Sequence, residues 1–306
     1  MRSATHCTRY AKSLPQFYQF AVVAVGAAFA CGCGKAPKPI LVGSQNNTAQ
    51  IVVGEIVAQH LEHRLARKIQ RRTGMGTEQI VYQGLLSGDI SLYPTFSGTI
   101  ETVILREQPS ADPATVWTRS NKEMSRTAQL ELLNPLGYEN PPAMAVRTAD
   151  AEEAKAATLS QAAEGKTRWK IGVSYEFQQR LDSNPALSSY MLPMSQTIRG
   201  MEAQQLFPAL ERGDLSMIAA DSTDGRLTLP GYRVLSDDKH AFAPYQACLL
   251  VRQDALAAEP RLRTYLDELS GKFTTEGVRK LSADVELNHR QPADVAAEFL
   301  AQAGLK

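Results

Sequence analysis

The stretch from Asp89 to Thr99 combines residue types that hold a small molecule without reacting with it. It reads as a short buried strand that passes into the turn Phe96-Ser97-Gly98-Thr99 and then into an apolar helix. Such a turn leaves backbone N–H groups and hydroxyls free at the start of the helix, and Phe96 adds an aromatic face beside them. We interpret this turn as a contact surface for a small solute, to which Ser97 and Thr99 contribute hydroxyl groups.

Residues that could carry out covalent chemistry are present, but they lack the surroundings that catalysis needs. Ser222, Asp224 and His240 are the residue types of a hydrolytic triad, yet no nucleophile-elbow sequence surrounds the serine. His60 and His63 could share one helix face as metal ligands, but the charged residues around them indicate a solvated face. We therefore predict no catalytic residue, no metal ion or cofactor, and no enzyme activity.

The composition is that of an ordinary globular protein. The 306-residue chain has 43% hydrophobic and 21% charged residues, which allows about two domains. Its net charge of +1 and the absence of a long basic run argue against nucleic acid as a partner. Cys248 lies in an apolar run without an obvious partner, so we predict a buried hydrophobic role for it.

The first 33 residues are predicted to be a signal peptide that ends in a lipid-attachment site. Positive residues precede an apolar run at 20–30 that is too short to span a bilayer. Small residues then precede two cysteines, as in a bacterial lipobox; Cys33 fits the pattern slightly better than Cys31, and the alternative is a plain secretory signal. Residues 34–39 form a Lys/Pro tether. We expect the body to be lipid-anchored to a membrane, in the periplasm or at the cell surface.

The rest of the chain alternates strands with helices, which indicates mainly parallel sheets with helices on both faces. The first unit is a strand, a polar turn that contains Gln45, Asn46 and Thr48, and a helix. A second strand is predicted at residues 65–70, and Pro94 is expected to end the third. Ligands of such sheets bind beyond the carboxyl ends of the strands, where the polar turns lie.

A second pass of the same pattern occupies the middle of the chain. A strand leads into a turn that contains Tyr175, another strand is expected around Met191, and a later strand runs into the polar turn 221–225. The sequence Gly-Asp-x-Ser opens a strand in both passes, at 88–91 and 213–216. This repeat predicts two lobes of one architecture, each with polar turns that face a shared cleft.

Taken together, these stretches resemble the substrate-binding protein of an ABC importer for quaternary amines such as glycine betaine, choline and carnitine. The resemblance covers the chain from about residue 38 onward. It rests on four motifs in a specific order, namely Val42-Gly-Ser-Gln-Asn-Asn-Thr48, Gly88-Asp-Ile-Ser-Leu-Tyr-Pro-Thr-Phe-Ser-Gly-Thr99, Ser222-Thr-Asp-Gly225, and Asp237-Asp-Lys-His240 followed by Pro244-Tyr245.

The resemblance implies a two-lobed, periplasmic-binding-protein-like fold of type II. Each α/β lobe would have a mostly parallel sheet flanked by helices, and two crossover segments would join the lobes. The first lobe would take residues 38–142 and 248–306, and the second residues 143–247, with hinges near Ala143 and Ala247. Closure of the lobes around a ligand is the expected motion.

The resemblance also implies how a ligand is held. A trimethylammonium group cannot donate hydrogen bonds, so the family surrounds it with aromatic rings, and donors hold the ligand carboxylate. Phe96 and Tyr245 match two ring positions, Thr99 a hydroxyl donor, and Arg180 a basic residue that faces a carboxylate. The full predicted set of ligand-binding residues is Gln45, Asn46, Thr48, Phe96, Ser97, Thr99, Asn140, Tyr175, Arg180, Thr223, Asp224 and Tyr245.

Several positions depart from the family pattern, so that fewer rings surround the expected site. The basic and acidic residues of the first turn are here Gln45 and Ala49, the strand-turn glutamate is Thr95, and one aromatic position is Pro142. Each proposed contact also has a simpler alternative: hinge packing for Tyr245, core packing for Phe96, a surface ion pair for Arg180, strand capping for Tyr175 and an Asx turn for Asp224.

The resulting prediction is a receptor that captures a small polar or cationic solute and delivers it to a membrane permease that works with an ATPase. One alternative is the same fold binding another polar solute, such as an amino acid, which ligand-induced thermal stabilisation would reveal. The other is a sensor or structural lipoprotein, which a lack of neighbouring permease and ATPase reading frames would support.

Overall fold

The structure is a computed structural model that describes residues 39–306. The predicted signal peptide, with its candidate lipidation residues Cys31 and Cys33, lies outside the described residues, as does all but the last residue of the tether. Within the described residues, no helix is both long and apolar enough to cross a membrane.

Ten strands are present in residues 39–306. In chain order they are β1 (Leu41–Gly43), β2 (Gln70–Arg72), β3 (Leu92–Phe96), β4 (Leu130–Leu132), β5 (Pro142–Arg147), β6 (Ile171–Ser174), β7 (Arg199–Met201), β8 (Met217–Asp221), β9 (Tyr232–Leu235) and β10 (Ala247–Arg252).

The helices of the same region are α1 (Thr48–Leu65), α2 (Glu78–Ser87), α3 (Ser97–Thr99), α4 (Pro113–Ala128), α5 (Thr148–Ala154), α6 (Leu159–Glu164), α7 (Tyr175–Gln179), α8 (Ser183–Ser189), α9 (Ala203–Glu211), α10 (Gln253–Ala258), α11 (Leu262–Asp267), α12 (Thr275–Glu286) and α13 (Pro292–Gln302). A π-helical turn, Ile100–Ile104, follows α3, and a 3₁₀ turn, Gly225–Thr228, follows β8.

The strands form two five-stranded sheets with the same pattern of directions. The orders are β2-β1-β3-β10-β4 in what we call the first lobe and β7-β6-β8-β5-β9 in the second lobe. The predicted pair of α/β lobes is confirmed, but the sheets are mixed: the first three strands of each order are parallel, and the last two joins are antiparallel. The antiparallel strands β5 and β10 are the ones that each lobe receives directly from the other.

Both faces of each sheet are buried, as the alternating pattern of strands and helices predicts. In β10, Leu249 and Val251 face one cluster of the first lobe, while Cys248 and Leu250 face the other. This alternation follows from the two-residue period of a strand. Cys248 is therefore a buried hydrophobic residue, as predicted.

The prediction of a strand at residues 65–70 was wrong. Helix α1 starts at its cap Asn47, whose side chain accepts a hydrogen bond from the Gln50 N–H at 2.8 Å, and it continues through Leu65. Leu61 and Leu65 extend the buried stripe by one more turn, and Ala66 then ends the helix in the left-handed region. The strand β2 begins only after this turn.

Two further local expectations were also wrong. Pro94 lies inside β3, opposite Leu249 of β10. β1 pairs with β3 only at Leu92, so the missing N–H of Pro94 costs no hydrogen bond to β1. Met191 lies in an exposed turn with a positive φ of 50° instead of in a strand. The next strand of the second lobe is instead β7, which pairs in parallel with β6.

His60 does not lie on a solvated face. It is fully buried on α1, and its Nε2 is 2.8 Å from the carbonyl oxygen of Tyr265. Burial lowers the pKa of this imidazole, because desolvation disfavours the charged ring. His60 therefore helps to fix α1 against the C-terminal helices.

Candidate ligand-binding site

Tyr245 lies where the chain returns to the first lobe, and it is only 1% exposed. The turn at Ser97 and Gly98 packs directly on it: a Cβ at Gly98 would lie 3.1 Å from two carbons of the tyrosine ring and 2.7 Å from the Pro244 carbonyl oxygen. Glycine is needed at this position because a side chain would displace the ring. The turn at residues 96–99 therefore supports the Tyr245 ring.

The hydroxyl of Tyr245 joins the two lobes. It donates to Asp182 Oδ1 at 2.9 Å and accepts a hydrogen bond from Arg180 Nε at 2.9 Å, and both partners belong to the second lobe. The Thr102 hydroxyl of the first lobe lies 3.4 Å away. Burial raises the pKa of Tyr245 to about 12, so the phenol keeps its proton and can donate to Asp182.

The face of the Tyr245 ring is covered by the protein's own cation. The guanidinium carbon of Arg180 lies 3.8 Å from the centroid of the ring, which is a cation–π contact. The Nη2 atom of Arg180 is buried and has no hydrogen-bond partner among the described residues. Arg180 is thus not part of a simple surface ion pair. In this arrangement its guanidinium packs on the Tyr245 ring.

Asn140 connects the crossing segment between the lobes to the turn after β8. Its backbone N–H donates to the Tyr245 carbonyl at 3.0 Å. Its side-chain Oδ1 accepts from Ser222 Oγ at 3.0 Å and from the backbone N–H of Thr223 at 3.2 Å. The structure therefore brings Asn140 and Thr223 together with Tyr245.

Asp221, at the end of β8, was missed by the sequence analysis. It is solvent-exposed, and the groups that act on its carboxyl include Asp224, Arg180 and the side chain of Asn140. These neighbours place Asp221 at what we call the junction, where the two lobes meet around Tyr245, Arg180 and Asp182. Its position directly before the Ser222 to Gly225 motif was the signal that could have found it.

Phe96 reaches the junction through aromatic packing. It is 5% exposed, and its ring meets the Tyr138 ring edge-on with centroids 6.0 Å apart. Two buried hydroxyls beside it, Ser97 Oγ and Tyr138 OH, have no hydrogen-bond partner among the described residues. Tyr138 was also missed by the sequence analysis.

The remaining predicted residues are used elsewhere or stand apart. Gln45 donates to the carboxylate of Glu78, the Thr48 side chain lies beside Glu286, and Asp224 pairs with the guanidinium of Arg226. The last contact fits the simpler reading of Asp224 as a turn residue, since its Oδ1 also accepts from the Arg226 N–H. Three more are solvent-accessible to different degrees: Asn46 and Tyr175 are exposed, and Thr99 is half-buried.

The chemistry available at the junction is binding by hydrogen bonds, charge and ring faces. In residues 39–306, no group of three or more His, Cys, Asp or Glu side chains is arranged to hold a metal ion. Ser222 Oγ donates to Asn140, and His240 lies in a separate turn with a positive φ of 49°.

Comparison with known proteins identifies the family of this chain. The family model for the substrate-binding domain of the ABC-type glycine betaine transport system matches residues 38–302. The carnitine transport binding protein OpuCC of Listeria monocytogenes is 26% identical over 269 residues, which cover 87% of each chain. The glycine-betaine-binding protein of Pseudomonas aeruginosa is 27% identical over 289 residues, covering 91% of this chain and 92% of the relative.

A solved structure supports the fold independently. The crystal structure of a glycine betaine/carnitine/choline ABC transporter protein superposes with a TM-score of 0.76 at 24% identity, and the match covers 87% of this chain and 99% of the other. Since the family model spans nearly all of the described chain, this protein belongs to the family of substrate-binding domains of ABC-type glycine betaine transport systems.

Proposed function

We propose that this chain is the extracytoplasmic solute-binding component of an ABC importer for quaternary amines, such as glycine betaine, choline or carnitine. Family membership supports this assignment, as do the relatives whose names record carnitine and glycine betaine binding. The protein binds its solute and does not transform it.

The observation that carries the proposal is the meeting of both lobes at Tyr245. The ring and its hydroxyl contact the first-lobe turn at Gly98 and the second-lobe residues Arg180 and Asp182. A ligand held here touches both lobes, so its binding energy favours the closed form over the open one. We propose hinges near Ala143 and Ala247, at the starts of β5 and β10, the strands that each lobe receives from the other.

Within this site, the ring faces of Phe96 and Tyr245 and the guanidinium of Arg180 supply complementary contacts. The rings attract a cationic ammonium group, and Arg180 pairs with a carboxylate once it moves off the Tyr245 ring. Asn140 and Thr223 hold the second-lobe wall of the site, and the hydroxyls of Ser97 and Thr99 supply hydrogen bonds from the first lobe.

Delivery of the solute requires partners outside this chain. We propose that the closed form docks on a membrane permease that works with an ATPase subunit. The leader-like sequence supports lipid attachment at Cys33, or at Cys31, and hence a location at a membrane face in the periplasm or on the cell surface.

The test is calorimetric titration of the purified protein with glycine betaine, choline and carnitine. Saturable binding of at least one of them, with a rise in melting temperature that grows with ligand concentration, is the expected result. An absence of heat and of thermal stabilisation at millimolar concentrations of all three would contradict the assignment. Stabilisation by an amino acid alone would instead support the same fold with another solute.

A further inference from the structure

The ring of Tyr245 is already covered by the protein, since the residue is only 1% exposed. The turn at Gly98 lies so close that a Cβ added to this glycine would be 3.1 Å from the ring carbons Cδ1 and Cε1. The guanidinium carbon of Arg180 lies 3.8 Å from the ring centroid. A ligand ammonium can therefore reach the face of this ring only if a covering group moves away.

Arg180 is the covering group that can move. The turn at Gly98 is buried and fixed by its own hydrogen bonds: the Ser97 N–H donates to the Gln246 carbonyl at 2.9 Å, and the Thr102 hydroxyl donates to the Gly98 carbonyl at 2.8 Å. The Arg180 side chain, by contrast, is 15% exposed and has several rotatable bonds, so it can leave the ring without a change of the backbone.

A ligand ammonium must replace what Arg180 contributes at the ring. Besides the cation–π contact, the guanidinium donates from Nε to the Tyr245 hydroxyl at 2.9 Å and lies 3.7 Å from Asp182 Oδ1. Two cations at one ring face repel each other, so the ammonium and Arg180 exclude one another there. A quaternary ammonium restores the ring contact and the attraction to Asp182, but it has no N–H with which to restore the hydrogen bond.

The other end of the ligand decides whether this exchange is favourable. A carboxylate gives the displaced guanidinium a charged acceptor, and the buried Nη2 of Arg180 has no partner of its own among the described residues. Glycine betaine and carnitine carry such a carboxylate. The hydroxyl of choline is uncharged, so it compensates for the displacement of Arg180 far less.

We propose that Arg180 is a built-in competitor for the ammonium position, through which the protein selects quaternary amines that carry a carboxylate and disfavours purely cationic ones. This inference rests on the proposed function, since it concerns which quaternary amine the site prefers. Arg180 thus lowers the affinity for every cation at the Tyr245 ring and restores it only for ligands that bring an anion.

Calorimetry with glycine betaine and glycine betaine amide tests the proposal, because the two share one ammonium group and differ in the charge of the other end. Choline serves as a second purely cationic probe. The parent protein should bind glycine betaine at least about tenfold more tightly than either cationic probe.

The decisive variant is Arg180→Gln. It frees the ring face and leaves Asp182 without its neighbouring cation, so both cationic probes should bind about threefold more tightly than to the parent protein, while glycine betaine binds more weakly. A residue that only paired with the carboxylate would leave the affinities for the cationic probes unchanged. Arg180→Met, which has a side chain of similar length without the charge, should act in the same direction and replaces Arg180→Gln should that variant fold poorly.

Two controls separate competition from other effects. Arg180→Lys keeps a cation that can cover the ring, so the affinities for both cationic probes should stay within about twofold of the parent values. Lys239→Gln is the matched control elsewhere in the second lobe: this exposed lysine lies 4.9 Å from the centroid of the Tyr190 ring, so its removal frees a ring face outside the site and should change no affinity.

Unchanged or weaker binding of the cationic probes to Arg180→Gln, an equal gain in Arg180→Lys, or equal affinities of the parent for glycine betaine and its amide would overturn this inference and leave the proposed function standing. If the parent protein binds none of the three probes and no carnitine, both are overturned.

Discussion

Two polar regions that look alike in the sequence are used differently by the fold. In the first turn, the side chain of Gln45 donates to Glu78, and the side chain of Thr48 lies beside Glu286. At the junction around Tyr245, by contrast, Arg180 Nη2 and Asp182 Oδ2 are buried without partners among the described residues. The side chains of the first turn are thus engaged within the protein, whereas the region around Tyr245 keeps polar atoms that are not. Polar atoms that the protein leaves unpaired are the better indication of a binding site.

Glu78 explains why the first turn is occupied. This carboxyl group is 6% exposed, and it accepts hydrogen bonds from the Tyr93 hydroxyl at 2.6 Å and the Thr95 hydroxyl at 3.1 Å, in addition to Gln45. Gln45 and Thr95 are two of the positions that depart from the family pattern of charged residues. Both residues therefore donate hydrogen bonds to Glu78 within one internal network.

The largest expected effect is a pH dependence of the free energy of unfolding, which arises from Glu78 in this network. Burial raises the pKa of Glu78 from 4.5 to about 7, so the folded protein retains a proton that the unfolded chain has already lost. The free energy of unfolding should therefore fall as pH rises from about 4.5 to about 7, by up to about 3 kcal/mol, and then level off.

Urea denaturation at pH 5 and pH 8 measures this dependence. Glu78→Gln should reduce the difference between the two pH values, since the amide cannot titrate. An equal difference in the variant and the parent protein would show that Glu78 is not the group responsible.

The next largest effect concerns stability at the contact between α12 and the turn after β8. Glu286 of α12 takes part in this contact and also lies beside Thr48 of the first turn. The Gly225 N–H donates to Glu286 Oε2 at 3.0 Å, and a Cβ at this glycine would lie 2.5 Å from the Ala283 backbone nitrogen. Gly225→Ala must push α12 away, so we expect a loss of about 2 kcal/mol in the free energy of unfolding.

Gly231→Ala is the control for chemical denaturation, because a Cβ there would meet no atom within 4 Å. Similar losses in both variants would show that the close approach of α12 to Gly225 is not what stabilises this part of the protein.

The smallest expected effect compares the two regions directly by ligand affinity. Arg180→Ala should weaken glycine betaine binding by about tenfold, because the carboxylate loses a charged donor, and it should affect choline less. Asn46→Ala, in the exposed part of the first turn, should change either affinity by less than about threefold. Calorimetry on both variants decides the matter, and equal losses for the two ligands would remove the role assigned to Arg180.

The sequence by itself determined the two-lobed architecture and much of the local structure. Asn47, in the polar turn that the sequence placed before the first helix, caps α1. The repeated Gly-Asp sequences also behave alike, since Gly88 and Gly213 both adopt a positive φ before the third parallel strand of their lobes. These features depend on residues a few positions apart, so their physical causes are present in the local sequence.

The tertiary structure decided what local patterns leave open. His60 is buried only because the C-terminal helices pack on α1, and Pro94 is tolerated in β3 only because β1 has already ended. At the junction, Tyr245 meets Arg180 and Asp182, which lie 65 and 63 positions away along the chain. No spacing rule relates residues so far apart. Their contact, and the unpaired Asp182 oxygen that it leaves, exist because the two lobes are held face to face.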